Sequence, residues 1–211
     1  MNVDRFAPWY RWVEYGAFGR VLERRRFAFF HRLRGARRVL VLGEGDGRAL
    51  RRLLEAAPAA EIDVVELSGA MIGLARQGAG RSERVRFRQE DARRARFEAG
   101  AYDAVVTLFF LDCFHEGELR QLAGRLVEAM MPGGQWIVGE FAVPERGWRH
   151  WHARAWLWTM YRFFGAVSGL RVRELPPVEE LLVAAGLELR EREEARWGLI
   201  RSEVWRKPID G

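Results

Sequence analysis

The sequence predicts an α/β domain with a doubly wound, mostly parallel sheet at its centre. Three observations predict it. Between residues 38 and 141, short apolar runs of β-formers alternate with stretches of helical periodicity, and strands that alternate with helices pair in parallel. The first strand breaks into Gly43-Glu44-Gly45-Asp46-Gly47, a glycine turn that lets a ligand approach the main chain at a strand's carboxyl end. Near residue 145 the alternation stops, and an aromatic stretch, a helix and two final strands take over.

The elements follow in order. Within 7–34, Trp9, Trp12 and Val13 share a face, as do Phe18, Val21, Leu22, Phe29 and Leu33, with arginines opposite; this is a helical cap. Residues 38–42 form the first strand and about 47–57 the first helix, ended near Pro58. Residues 62–67 are the second strand, and Ser68 caps a helix with Met71, Leu74 and Ala75 on one face. Residues 84–88 alternate like a half-buried third strand. The run 102–111 is nearly continuous in apolar residues, as a central strand covered on both faces should be. A helix over 118–131 is stopped by Pro132-Gly133-Gly134, and 136–141 is the fifth strand. An aromatic helix is expected over 148–168, a further helix over 178–187, and strands over 187–194 and 197–206.

Length and composition bound the function. At 211 residues the chain fits one domain, 1–211. It divides into a cap (1–36), a ligand-binding core (37–145), a helical insertion (146–176) and a terminal helix with hairpin (177–211). Hydrophobic residues at 49% and charged residues at 30% describe an ordinary globular protein. Cys113 is the only cysteine, which excludes an intrachain disulfide and points to a reducing, cytoplasmic setting. The start lacks a signal-peptide core, and no run reaches the roughly 18 apolar residues of a membrane span. The net charge of +6 is almost all arginine, spread along the chain, which argues against a dedicated nucleic-acid face.

The glycine turn carries two carboxylates and no lysine, so a pyrophosphate would meet like charge there. The position three after Gly45 is Arg48, not the Gly or Ala of the dinucleotide fingerprint. A cationic nucleoside fits better. Glu66, nineteen residues past Gly47 at the end of the second strand, is placed to accept from both ribose hydroxyls.

These residues resemble the first motif, G-x-G-x-G, of the class I S-adenosylmethionine-dependent methyltransferases. The resemblance continues through Asp91-Ala92, Tyr102-Asp103-Ala104-Val105-Val106 and Pro132-Gly133-Gly134. It covers roughly 35–145 and, more loosely, the final hairpin. It implies a Rossmann-like seven-stranded sheet, mostly parallel with a C-terminal antiparallel hairpin. It also implies S-adenosylmethionine as cofactor and methyl transfer to a small acceptor. The aromatic insertion suggests an apolar or aromatic acceptor and the small-molecule branch, near the quinone-biosynthesis methyltransferases.

The resemblance also implies roles. The family often has an acid two residues before the first glycine; this chain has Val41, so contact with the methionine ammonium passes to Glu44 or Asp46. Gly43, Gly45 and Gly47 shape the turn, and Glu66, Leu67 and Met71 flank the ribose side. Asp91 accepts from the adenine amine, and the Ala92 N–H donates to a ring nitrogen. The run from Leu108 and Phe109 to Cys113 passes beside the methionine end, facing the acceptor, and Tyr10 or Tyr15 closes a lid from the cap. A base is needed only if the acceptor must lose a proton; the candidates are Asp112, Glu140, His115, His150 and His152. Cys113 reads as a small filler. No metal-ligand spacing and no G-x-S-x-G nucleophile turn is present.

Other readings stay open. An RNA or protein methyltransferase would need a contiguous basic face beside the pocket. No Asn-Pro-Pro-Tyr-type tetrapeptide follows the fourth strand to favour amino-group targets in such polymers. A non-catalytic, cofactor-binding regulator is the third reading. The aromatic stretch, with Arg149, Arg154 and Arg162, leaves peripheral membrane contact open, and the oligomeric state is undetermined.

Overall fold

The computed structural model describes residues 20–80, 82–144 and 175–209, together with Gly147, Trp148, Trp151, Ala155, Thr159 and Arg162. Seven strands form one sheet: β1 Arg38–Leu42, β2 Glu61–Glu66, β3 Val85–Gln89, β4 Tyr102–Leu108, β5 Met130–Phe141, β6 Glu188–Ala195 and β7 Ile200–Arg206. Their order is β3-β2-β1-β4-β5-β7-β6. The first five run parallel; β7 lies antiparallel to both β5 and β6. This is the doubly wound sheet with a C-terminal antiparallel hairpin that the sequence predicts. Strand order reverses between β1 and β4, and ligands bind open sheets outside the carboxyl ends at such a switch point.

Among the described residues the continuous helices are α1 Arg20–Arg26, α2 Arg48–Ala56, α3 Gly69–Ala79, α4 Glu116–Ala129 and α5 Val178–Ala184. Successive strand residues point to opposite faces, so each buried strand feeds two cores. Leu40, Leu42, Val105, Trp136 and Trp205 pack against Leu119, Leu122 and Leu126 of α4 and Leu181 and Leu182 of α5. Val39, Val41, Val64, Val106 and Ile137 pack against Leu50 and Leu53 of α2 and against Phe29, Phe30 and Leu33. Burial on both faces explains the near-continuous apolar runs of β1 and β4.

Boundaries shift for local reasons. The fourth strand ends at Leu108, not 111, because Phe109 takes φ +55° and a 3-10 turn, Leu111–Cys113, follows. The helix expected over 118–131 begins at Glu116, where Glu118 folds back to accept the His115 N–H at 3.2 Å. It stops at Ala129 because Met130 already pairs with Tyr102; residues 131–134 then loop out before Gln135 resumes the ladder opposite Ala104. Lys207 closes this corner, its Nζ donating to the Val127 and Met130 carbonyls at 2.8 Å each. The last helix ends at Ala184, ahead of Gly186 at φ +87°.

Tyr10, Tyr15, His150, His152 and most of the cap and aromatic helix lie outside the described residues. Trp148, Trp151, Ala155, Thr159 and Arg162 are helical and exposed, the first two at 62% and 73%. Among the described residues no helix is long and apolar enough to cross a membrane.

Candidate functional site

The turn after β1 is built by conformation. Gly43, Gly45 and Gly47 take φ of +65°, +73° and +88°, a region that costs any residue with a β-carbon. Gly47 caps α2 and is also pressed against the next helix: a β-carbon there would lie 2.8 Å from Ala75 Cα. At Gly43 a β-carbon would lie 2.1 Å from Phe110 Cδ2, so the ring of Phe110 covers the turn. At Gly45 it would meet nothing within 4 Å.

That openness belongs to a cavity of about 530 Å³ at the carboxyl ends of β1, β2 and β4. Its volume lies within the roughly 300–1,000 Å³ typical of small-molecule sites. Gly43, Glu44, Gly45 and Asp46 line it from the turn, Glu66 and Leu67 from the end of β2, and Met71 from α3. Asp91 and Ala92 line it from the segment after β3, and Leu108 and Phe109 from the end of β4. Gly47 is not among the lining residues and acts through helix packing. The sequence reading missed Arg26, Arg93, Phe114 and Glu118, which also line the cavity. For Arg26, on the cap helix, no local sequence signal exists.

Each acid has a distinct setting. Glu44 Oε1 accepts the Leu50 N–H at 2.6 Å, one of the N–H groups left free at the start of α2. Its Oε2 is shielded from solvent and has no hydrogen-bond partner. Burial pushes the Glu44 carboxyl up to about 8, with Asp46 adding to the rise and the Leu50 N–H and Arg26 opposing it. Asp46 instead turns to Arg48, whose Nε donates at 2.9 Å. Glu66 Oε1 accepts the Ser68 N–H at 2.9 Å, and Ser68 Oγ accepts the Met71 N–H at 3.1 Å. The Asp91 carboxylate accepts the Arg93 N–H and its Nε, at 3.0 and 2.9 Å, and the Arg93 side-chain bonds hold it below its ordinary range. Arg93 also pairs with Glu118 at 3.3 Å. Arg125 ties the loop down, donating to the carbonyls of Ala92, Arg93 and Ala95 at 3.0, 3.0 and 2.7 Å.

The candidate bases separate. His115 lines the cavity at the start of α4. Asp112 and Glu140 are buried and are not among the lining residues. Glu140 Oε1 accepts the N–H groups of Phe110 and Leu111, at 3.0 and 2.8 Å. Burial, reinforced by the Asp112 charge, pushes the Glu140 carboxyl well up. The same two causes push the Cys113 thiol up, which keeps it protonated and inert. Among the described residues no group of three or more His, Cys, Asp or Glu could hold a metal ion.

Residues 39–134 match a family model described as a methyltransferase domain. Every lining residue except Arg26 falls inside that segment. A demethylmenaquinone methyltransferase of Thermus thermophilus is 36% identical over 133 residues, which is 62% of this chain. Over this segment the chain is similar to known methyltransferases. It spans 60% of the length of that Thermus relative.

Solved methyltransferases share the fold. The N-methyltransferase NodS from Bradyrhizobium japonicum WM9, in complex with S-adenosyl-L-homocysteine, is 20% identical. It matches with a TM-score of 0.66 over 89% of this chain and 88% of its own. The 1,6-didemethyltoxoflavin-N1-methyltransferase of Burkholderia thailandensis, holding 1,6-didemethyltoxoflavin and S-adenosylhomocysteine, is 21% identical. It matches with a TM-score of 0.64 over 89% of this chain and 79% of its own.

Proposed function

We propose that this chain transfers a methyl group from S-adenosylmethionine to a small, apolar or aromatic acceptor. The charge of the cavity carries the reading. Glu44, Asp46, Glu66, Glu90, Asp91 and Glu118 line it against two arginines, Arg26 and Arg93. Such a wall suits a cationic nucleoside and repels pyrophosphates and nucleic-acid backbones.

The residues present fit the cofactor. The orphaned Glu44 Oε2, buried beside an open turn, is the group that a methionine ammonium would satisfy. Asp46, committed to Arg48, serves less well. Glu66 would take the ribose hydroxyls, and Asp91 with the Ala92 N–H the adenine edge. Leu67, Met71, Phe110 and Phe114 supply apolar walls. When bound, the cofactor supplies an electrophilic methyl group on a good leaving group. The chain's own part is to orient the acceptor and exclude water. Leu108 and Phe109 offer an acceptor an apolar surface, and the name of the Thermus relative supports an apolar ring as acceptor.

Calorimetric titration tests the reading. S-adenosylhomocysteine is expected to bind, with NAD and ATP silent; binding of either phosphorylated ligand in its place overturns it. Demethylmenaquinol and a panel of soluble phenols and aromatic amines then test transfer. Binding without turnover on any of them favours a regulator.

A further inference from the structure

Resting on the reading of this cavity as a cofactor site, we propose that Glu140 is a positioning residue. From the end of β5 it holds the turn after β4 so that Phe109 and Phe110 wall the cavity on two sides.

The chain after Leu108 has a hydrogen-bond problem. The first N–H groups of the 3-10 turn Leu111–Cys113 have no carbonyl of their own turn to bond. Glu140, 5% exposed, supplies the missing acceptor, its Oε1 taking the Phe110 and Leu111 N–H groups at 3.0 and 2.8 Å. The Phe109 N–H donates to the Gly139 carbonyl at 2.6 Å. Three consecutive N–H groups are thus held from two neighbouring residues of one strand end.

The turn needs holding. Phe109 sits at φ +55°, which costs a residue with a β-carbon about 1 kcal/mol or more and persists only where the surroundings over-determine it. The result is two aromatic rings that part company. Phe109 packs on Phe141, ring centroids 4.9 Å apart, with the Arg26 guanidinium 5.4 Å from its centroid. Phe110 packs on Phe114 at 5.0 Å and covers Gly43. Both line the cavity. Glu140 Oε2 is buried without a partner, and a buried carboxylate of this kind is a poor stabiliser. What it provides is one defined conformation of the wall.

The matched control lies at the opposite end of the strands. Asp103 Oδ2 likewise accepts two consecutive N–H groups, those of Arg37 and Arg38, at 2.8 and 2.7 Å, beside the amino ends of β1 and β4. Affinity for S-adenosylhomocysteine by calorimetry and amide exchange at 110 and 111 are measured on Glu140→Leu, Glu140→Gln and Asp103→Leu. Glu140→Leu is expected to weaken binding about tenfold or more and to speed exchange at both amides. Glu140→Gln, which keeps an acceptor oxygen, is expected to stay within about threefold of the wild type. Asp103→Leu is expected to melt earlier yet bind normally.

Wild-type affinity in Glu140→Leu, or an equal loss in Asp103→Leu, overturns the proposal. Glu140→Asp draws the oxygen back by one methylene while keeping the carboxyl group. It is expected to weaken binding as the leucine variant does, and decides the matter if that variant does not fold. Failure of the wild type to bind S-adenosylhomocysteine at all would sink the cofactor reading instead, while amide exchange would still show whether Glu140 holds the turn.

Discussion

The Glu44 carboxylate folds back across the glycine turn onto the Leu50 N–H, 2.6 Å away, and buries its other oxygen unpaired. With the carboxyl pushed up to about 8, Glu44 is mostly protonated at neutral pH before a ligand binds. A ligand ammonium beside it favours the ionised form, so binding releases a proton below that pH. Affinity for S-adenosylhomocysteine is expected to climb with pH, by at most about tenfold per unit, and to level off above about 8. Glu44→Gln is expected to flatten the profile and to bind more weakly at high pH. Stability runs the other way. In the unfolded chain Glu44 ionises near its ordinary 4.5, so stability present at low pH is lost as pH rises from there towards about 8. Thermal melts of Glu44→Gln should therefore gain on the wild type over that window and match it in acid.

Gly43 and Gly45 share a positive φ but not a neighbour. Gly45→Ala is expected to cost only the conformational strain, about 1 kcal/mol, and to fold. Gly43→Ala must also displace the Phe110 ring. It should melt lower than Gly45→Ala by the equivalent of about 1 kcal/mol or more, and bind S-adenosylhomocysteine far more weakly. Melting curves and calorimetry on the two variants check this.

Glu66→Ala is expected to weaken S-adenosylhomocysteine binding by about 10- to 100-fold, the usual value of hydrogen bonds to a charged group. The loss should shrink for an analogue lacking the ribose hydroxyls. If both ligands suffer equally, Glu66 acts through the Ser68 N–H that it holds at 2.9 Å and not on the ribose.

Arg125 makes no contact with the cavity surface yet bonds three carbonyls of the loop that carries Ala92. Arg125→Met strands those carbonyls, and affinity for S-adenosylhomocysteine is expected to fall several-fold, with faster amide exchange over 91–95. Arg125→Lys restores one or two of the bonds and should recover part of the loss.

Some of this site is legible in the chain and some is not. The glycine turn, Glu66 at the tip of β2 and Asp91-Ala92 after β3 each sit at a fixed place in a strand–turn–helix unit. Their positions depend on neighbours within a few residues, and so does the hydrophobic alternation that predicts the sheet. Arg93 is exposed, as its arginine-rich surroundings suggest, but its pairing with Glu118, 25 residues further on, has no signal in the local sequence.

By itself the sequence determined the order and kind of elements, the glycine turn at the tip of β1, and the acidic character of the strand tips. All are consequences of short-range sterics and periodicity. Only the tertiary structure decided that Phe110 lies on Gly43, that Glu140 serves the amides of Phe110 and Leu111, and that Arg26 reaches the cavity from the cap. The first two pairings join residues 29 or more apart along the chain. They exist because β4 is laid between β1 and β5 to bury apolar surface on both faces, an outcome of the whole core and of no local pattern.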